Sequence, residues 1–199
     1  MRATTEQEDA LKELVNIGYG RAAAALSEMT HARVSLEVPR LHVLEIDQVE
    51  AALRTLFPHQ LTCVNQVFSG AIQGNALLML DARAASILTG LIANEPAPSV
   101  LHGSVVETVS EVGNIVLNAC LGVFGNLLQM QVMFTVPNLT VSTVEGLLRS
   151  LTIANRSLSH ALLVQTRFSL RESNVKGYIA IILGITSYSR LLEKLDHLG

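Results

Sequence analysis

The chain has no tryptophan, only 4% aromatic residues and just two cysteines in 199 residues. A core must therefore be assembled from Ala, Leu, Val and Ile on helices and strands, within a composition that is 49% hydrophobic. Cys63 and Cys120 each sit inside an apolar stretch, so a disulfide framework is not implied and buried reduced thiols are expected. Charge is sparse too: 14 basic and 17 acidic residues give a net charge of -3, with no basic stripe of the kind that neutralises phosphates. Nucleic acid is not an expected partner. The acidic start, Met1 to Asp9, lacks the basic region and apolar run of a signal peptide. The longest apolar run, Tyr178 to Leu183, is only of strand length, so no membrane insertion and a cytoplasmic location are expected.

Proline is also scarce, with five residues, yet two of them mark a repeat. Glu13-x-x-Asn16 and Glu111-x-x-Asn114 are each followed, 23 positions after the Asn, by Pro39 and Pro137. Both prolines falling at the matching offset by chance is roughly a one in 1,600 event, and fixed-period self-similarity is the mark of a duplication.

The order of elements repeats as well. Apolar residues recur at helical spacing from Glu6 to about Met29, opened by Thr5-x-x-Glu8 as a capping box. Val34 to Val38 alternates as a strand stopped by Pro39, and Asp47 to Glu50 opens a short helix ended by Pro58. Cys63 to Ser69 and Asn75 to Leu80 read as a hairpin around Gly70 and Gly74, and a helix from about Ala82 to Ala93 closes the half. In the second half Ser104-x-x-Glu107 caps a helix to about Phe124, and Gln131 to Val136 makes a strand ending at Pro137. There Ser142-x-x-Glu145 caps a short helix to Leu151, Leu162 to Ser169 and Val175 to Leu183 pair, and Ser187 to Leu198 closes.

Each half thus reads α-β-α-β-β-α. The proline-rich stretch from Glu95 to Ser99 separates them, giving one domain over 1–199 made of repeats 1–94 and 101–199 with a linker at 95–100. Three strands per half cover little alone, so the expected fold is α/β (α+β), pseudo-twofold, with a shared sheet of about six strands and two long helices outside.

At about 100° per residue, Asp9, Glu13 and Asn16 share one helical stripe, as do Glu107, Glu111 and Asn114. The helical rise to the helix end and the extended return along the strand are each roughly 20 Å, which brings the proline back level with the Asn. A lone Glu-x-x-Asn is usually just a solvated stripe. Two copies in register, each with its proline, argue for a site, and Asn costs up to about 0.7 kcal/mol against Ala in a helix interior.

Asp9-x3-Glu13-x2-Asn16-x22-Pro39 and Glu107-x3-Glu111-x2-Asn114-x22-Pro137 resemble the duplicated signature of the CheC/CheX/FliY family of chemotaxis phosphatases. Length and the presence of both copies look most like stand-alone CheC. The resemblance implies hydrolysis of the aspartyl phosphate of a CheY-like receiver protein. Glu13 and Glu111 would engage the receiver's active-site lysine, and Asn16 and Asn114 would enter its pocket and orient water. Asp9, Pro39, Glu107 and Pro137 would support them. Mg²⁺ is expected on the receiver, with no cofactor or metal on this chain, since phosphoryl transfer needs mainly positioning and charge stabilisation. Glu107 departs from the family's Asp or Ser and could be committed to its capping box.

Other signals carry less. Gly18-x-Gly20-x-x-Ala23 fits a dinucleotide fingerprint but lies within a helical pattern, where glycines permit close packing. The sequons at Asn138 and Asn155 read as loop residues. The alternative to an enzyme is an adaptor that binds the phosphorylated receiver or another chemotaxis protein. In some relatives the short helix corresponding to Ser142 to Leu151 docks the deamidase CheD.

Overall fold

The computed structural model describes residues 3–98, 103–154, 158–170 and 173–197. In chain order its elements are α1 (Thr5–Thr30), β1 (Val34–Glu45), α2 (Ile46–Leu56), β2 (Leu61–Gly70), β3 (Gly74–Asp81) and α3 (Ala82–Ala93). Then follow α4 (Gly103–Leu127), β4 (Val132–Phe134), β5 (Asn138–Ser142), α5 (Val144–Ala154), β6 (Leu158–Leu170), β7 (Ser173–Gly184) and α6 (Ile185–Leu195). The predicted sequon at Asn155 falls outside the described residues, as do residues 99 and 100 of the predicted linker.

All strands join one antiparallel sheet in the order β1-β6-β7-β3-β2-β4, with β5 also on β2. Because β4 and β5 share one edge of β2, the sheet is six positions wide, and its order is symmetric about the central β7-β3 pair. That pair runs from Gly74 opposite Leu183 to Met79 opposite Tyr178. Both central strands are buried on both faces, which is why their sequences read as apolar runs rather than alternations. On β3, Ala76, Leu78 and Leu80 face a core completed by α1, α3, α4 and α6. Leu77 and Met79 face a smaller core closed by Val49 and Leu53 of α2 and Val144, Leu147 and Leu151 of α5.

Several boundaries differ from the sequence reading, for local reasons. The α1 cap is Thr4 with Gln7, one residue before Thr5 and Glu8. Gln7 can accept from the Thr4 N–H at 2.9 Å and also donate to Asp196 Oδ1 at 2.8 Å, tying the start of α1 to the end of α6. A Glu8 carboxylate has no proton for the second bond. Likewise α2 is capped by Glu45 with Gln48, while Glu50 is taken by Arg54 at 2.7 Å. Thr143, not Ser142, caps α5, accepting from the Gly146 N–H at 3.2 Å while Ser142 is still the end of β5. Helix α4 already begins at Gly103, ahead of Ser104, so Ser104 does not start the helix; its side chain lies outside the described residues.

Pro39 does not stop its strand, whereas a strand does end ahead of Pro137. β1 continues through Pro39 to Glu45, with its register on β6 shifting between Glu37 and Arg40. In the second half the corresponding irregularity is complete, and Pro137 lies in the gap between β4 and β5. Pro39 is on an edge strand and Pro137 lies between two edge segments, where a missing N–H is tolerated and accompanies a bulge or a break. This break is why the sheet has seven strands rather than six.

One helix also exceeds expectation in apolarity. Val105–Leu127 is long and apolar enough, by length and composition alone, to cross a membrane, although half of it is buried within the fold. Its stretches are interrupted by Glu111, Asn114 and Asn118, which hid the total from a search for unbroken runs.

Candidate functional site: two helix faces

Helices α1 and α4 pack on each other at a backbone-close contact. A Cβ added to Gly18 would stand 2.8 Å from Cys120 Cα, so the glycine is required by the approach of the helices and the fingerprint reading is set aside. Gly113, between Glu111 and Asn114, sits against the sheet, where a Cβ would meet Val64 Cγ1 at 2.6 Å. Helix α1 is seated on β6 by the Tyr19 and Thr166 hydroxyls, 2.5 Å apart and fully buried. Burial raises the Tyr19 phenol well above its usual range, with Cys120 adding to the rise and the Thr166 hydrogen bond opposing it. At its far end, the Ser27 hydroxyl accepts from the Val34 N–H at 2.9 Å and fixes the return into β1.

These contacts turn the two polar stripes outward. On α1, Leu11, Leu14, Val15 and Gly18 are buried, while Asp9, Glu13 and Asn16 are exposed. On α4, Val109, Val112, Val116 and Leu117 are buried, and Glu107 and Glu111 are exposed. Among the described residues none of these four carboxylates is in an ion pair, so each stripe offers unneutralised charge to a basic partner. Both thiols are buried and do not share this exposure. Burial pushes Cys63 and Cys120 up to about 12, and they lie in the two different cores.

The two asparagines are not equivalent. The Asn16 carboxamide is exposed and has no hydrogen-bond partner among the described residues. Asn114 is half-buried, and its Oδ1 accepts from Asn118 Nδ2 at 2.7 Å. Asn118 Oδ1 in turn accepts from Gln66 Nε2 at 2.8 Å, which also donates to the Thr135 carbonyl at 3.0 Å. This chain joins the α4 stripe to the segment carrying Pro137, two residues past Thr135, so in the second half the helix and the returning segment do lie side by side. Pro39 lies at the bulge of β1, on the strand that follows α1; its side chain is outside the described residues.

A model of the CheC-like family matches residues 6–43, the stretch that holds Asp9, Glu13, Asn16 and Pro39. FliY of Thermotoga maritima has the same fold over the full length of both chains, with a TM-score of 0.79 at 16% identity. The chain is CheC-like over residues 6–43 and has the fold of FliY along its length. The fold extends to the FliM middle domain of H. pylori, with a TM-score of 0.63 at 12% identity over 96% of this chain and 99% of that one. It is also similar to the crystal structure of a CheX-CheY-BeF3-Mg+2 complex from Borrelia burgdorferi, with a TM-score of 0.50 at 15% identity over 83% and 96% of the two chains.

Within this fold, the sequence reading found the stripes but missed Asn118, Gln66 and Thr135. A partial signal was present. Asn114 and Asn118 are four residues apart on one helix, and Gln66 is a polar residue at a core-facing position of β2. Their joining depends on how α4 lies across the sheet, which spacing alone does not give.

Proposed function

We propose that this chain hydrolyses the aspartyl phosphate of a CheY-like response regulator, using Glu13 with Asn16 and Glu111 with Asn114. The observation that carries the reading is the outward display of two Glu/Asn stripes, with unpaired carboxylates, on the helices of a fold that CheX shares. In this reading each carboxylate pairs with the receiver's lysine, and the adjacent Asn enters the phosphoaspartate pocket. The Asn Oδ1 accepts a hydrogen bond from the attacking water, which turns the water's lone pair toward phosphorus. The P–O bond to the aspartate breaks as the bond to water forms, and the water's proton leaves with the phosphate or to solvent. Mg²⁺ belongs to the receiver, and the contribution of this chain is alignment, with no metal of its own. A cytoplasmic location follows from such a substrate, and two sites on one domain fit a CheC-like member best. Asp9 and Glu107 flank the two stripes as supporting charges.

A second reading is favoured by the similarity to FliM, seen with FliG in an H. pylori complex at a TM-score of 0.60 and 10% identity. A chain of this fold could be an adaptor that binds a phosphorylated receiver, or a protein such as CheD, without turnover. The test adds this protein in substoichiometric amount to a phosphorylated receiver with Mg²⁺ and follows phosphate release and binding together. Many phosphates released per chain support the enzyme. Phosphorylation-dependent binding with unaltered decay supports the adaptor and overturns the phosphatase.

A further inference from the structure

The chain Gln66–Asn118–Asn114 has a fixed direction. At its inner end lies the Thr135 carbonyl, which can only accept, so the Gln66 atom facing it is the Nε2 donor. That assignment makes the Asn118 atom facing Gln66 an acceptor and its other terminus the donor to Asn114. A single backbone oxygen therefore orients three carboxamides in series. Gln66 is 1% exposed, and its Oε1 is buried with no partner among the described residues, a penalty that an apolar residue of similar size would avoid. Packing alone does not explain a glutamine there.

The other stripe has no such support. The spacing of 98 residues that relates Glu13 to Glu111 relates Gly20 to Asn118. It also relates β2 to β6: Thr62 pairs with Leu80, and His160 with Leu183, each just before the residue that caps α3 or α6. Gln66 thus corresponds to Val164. Where the Asn114 site has Asn118 and Gln66, the Asn16 site has the exposed Gly20 and the buried Val164.

We propose that Asn118 and Gln66 are positioning residues of the Asn114 site. They hold its carboxamide in one orientation, with Oδ1 toward the Asn118 amide and one acceptor lobe left for a water proton, whereas the Asn16 carboxamide must be ordered when the receiver docks. This rests on the phosphatase reading. Gln66 and Asn118 act through Asn114 alone, so they affect the catalysed step and leave docking through Glu111 intact.

The test uses the full chain with Asn16→Ala, so that only the Asn114 site turns over, and adds Asn118→Ala or Gln66→Met. Ordering a free side chain typically costs enough to lower kcat by about 3- to 10-fold, with KM unchanged. Side-chain amide NMR provides a readout that does not need turnover: Gln66→Met should move the Asn114 carboxamide resonances and leave those of Asn16 in place. Unchanged kcat with an active Asn114 site, a change in KM alone, or unmoved Asn114 resonances would overturn the positioning role only. Full activity in Asn16→Ala/Asn114→Ala would instead overturn the phosphatase reading, and the positioning role with it.

Discussion

Replacing Tyr19 by Phe removes one oxygen from the seat of α1 and nothing else. The hydroxyls of Tyr19 and Thr166 face each other at 2.5 Å, and the residues are 1% and 0% exposed, so neither can turn to water when the other is lost. Tyr19→Phe leaves the Thr166 hydroxyl buried and unpaired, at a cost of about 1–3 kcal/mol. Thr166→Val leaves the Tyr19 hydroxyl in the same position, at a similar cost. The double variant removes both polar groups and retains the shape, so it should be less destabilised than the sum of the single variants by about 1–2 kcal/mol. In a protein of this size each kcal/mol lowers Tm by about 2–4 °C, so both singles should be visible in thermal melts and in urea unfolding followed by circular dichroism. Effects that add to within about 0.5 kcal/mol would show that the two hydroxyls do not interact and that α1 is held on β6 by apolar packing alone.

Gly113→Ala should destabilise by about 1–3 kcal/mol through contact with Val64, despite a helix-propensity gain of up to about 1 kcal/mol, and Val64→Ala in the same chain should recover part of the loss. Urea midpoints of the three variants check this, and a stabilised Gly113→Ala would mean that α4 can lift from the sheet freely. For the thiols, burial raises Cys63 and Cys120 from 9.0 to about 12, so the folded state holds protons that the unfolded chain releases. Their stabilisation is complete below about pH 9 and is lost as pH rises toward about 12, by up to about 1.4 kcal/mol per pH unit for each thiol. Unfolding free energies measured across that window should fall more steeply in the wild type than in Cys63→Ala/Cys120→Ala, and equal slopes would contradict it.

Elements with strong local signals were legible in the sequence. Helix α3 was expected at about Ala82 to Ala93, after the hairpin around Gly70 and Gly74, and the structure has those limits, with Asp81 accepting from the Ala84 N–H as its cap. Stripes on α1 and α4 were legible because helical periodicity fixes which residues share a face. Caps were misplaced by a residue or two wherever a glutamine or threonine competed with the expected carboxylate, since that choice depends on partners such as Asp196, 189 positions away from Gln7. Pro137 marks a break after a strand as expected, but Pro39 was misread as a strand end, because an edge strand can absorb a missing N–H and only the sheet order reveals an edge. The difference between Asn16 and Asn114 was foreseen only as an imperfection at Glu107. In the structure it arises on the opposite side of Asn114, from Gln66 on β2 and Asn118 one turn further along α4.

The most direct measurement is phosphate release from a phosphorylated CheY-like receiver in the presence of Mg²⁺, comparing the wild type with Asn16→Ala/Asn114→Ala at matched, verified fold. Loss of both aligning carboxamides should slow release by about 10²-fold toward the receiver's own rate while receiver binding through Glu13 and Glu111 persists. A double variant that releases phosphate as fast as the wild type would contradict the account.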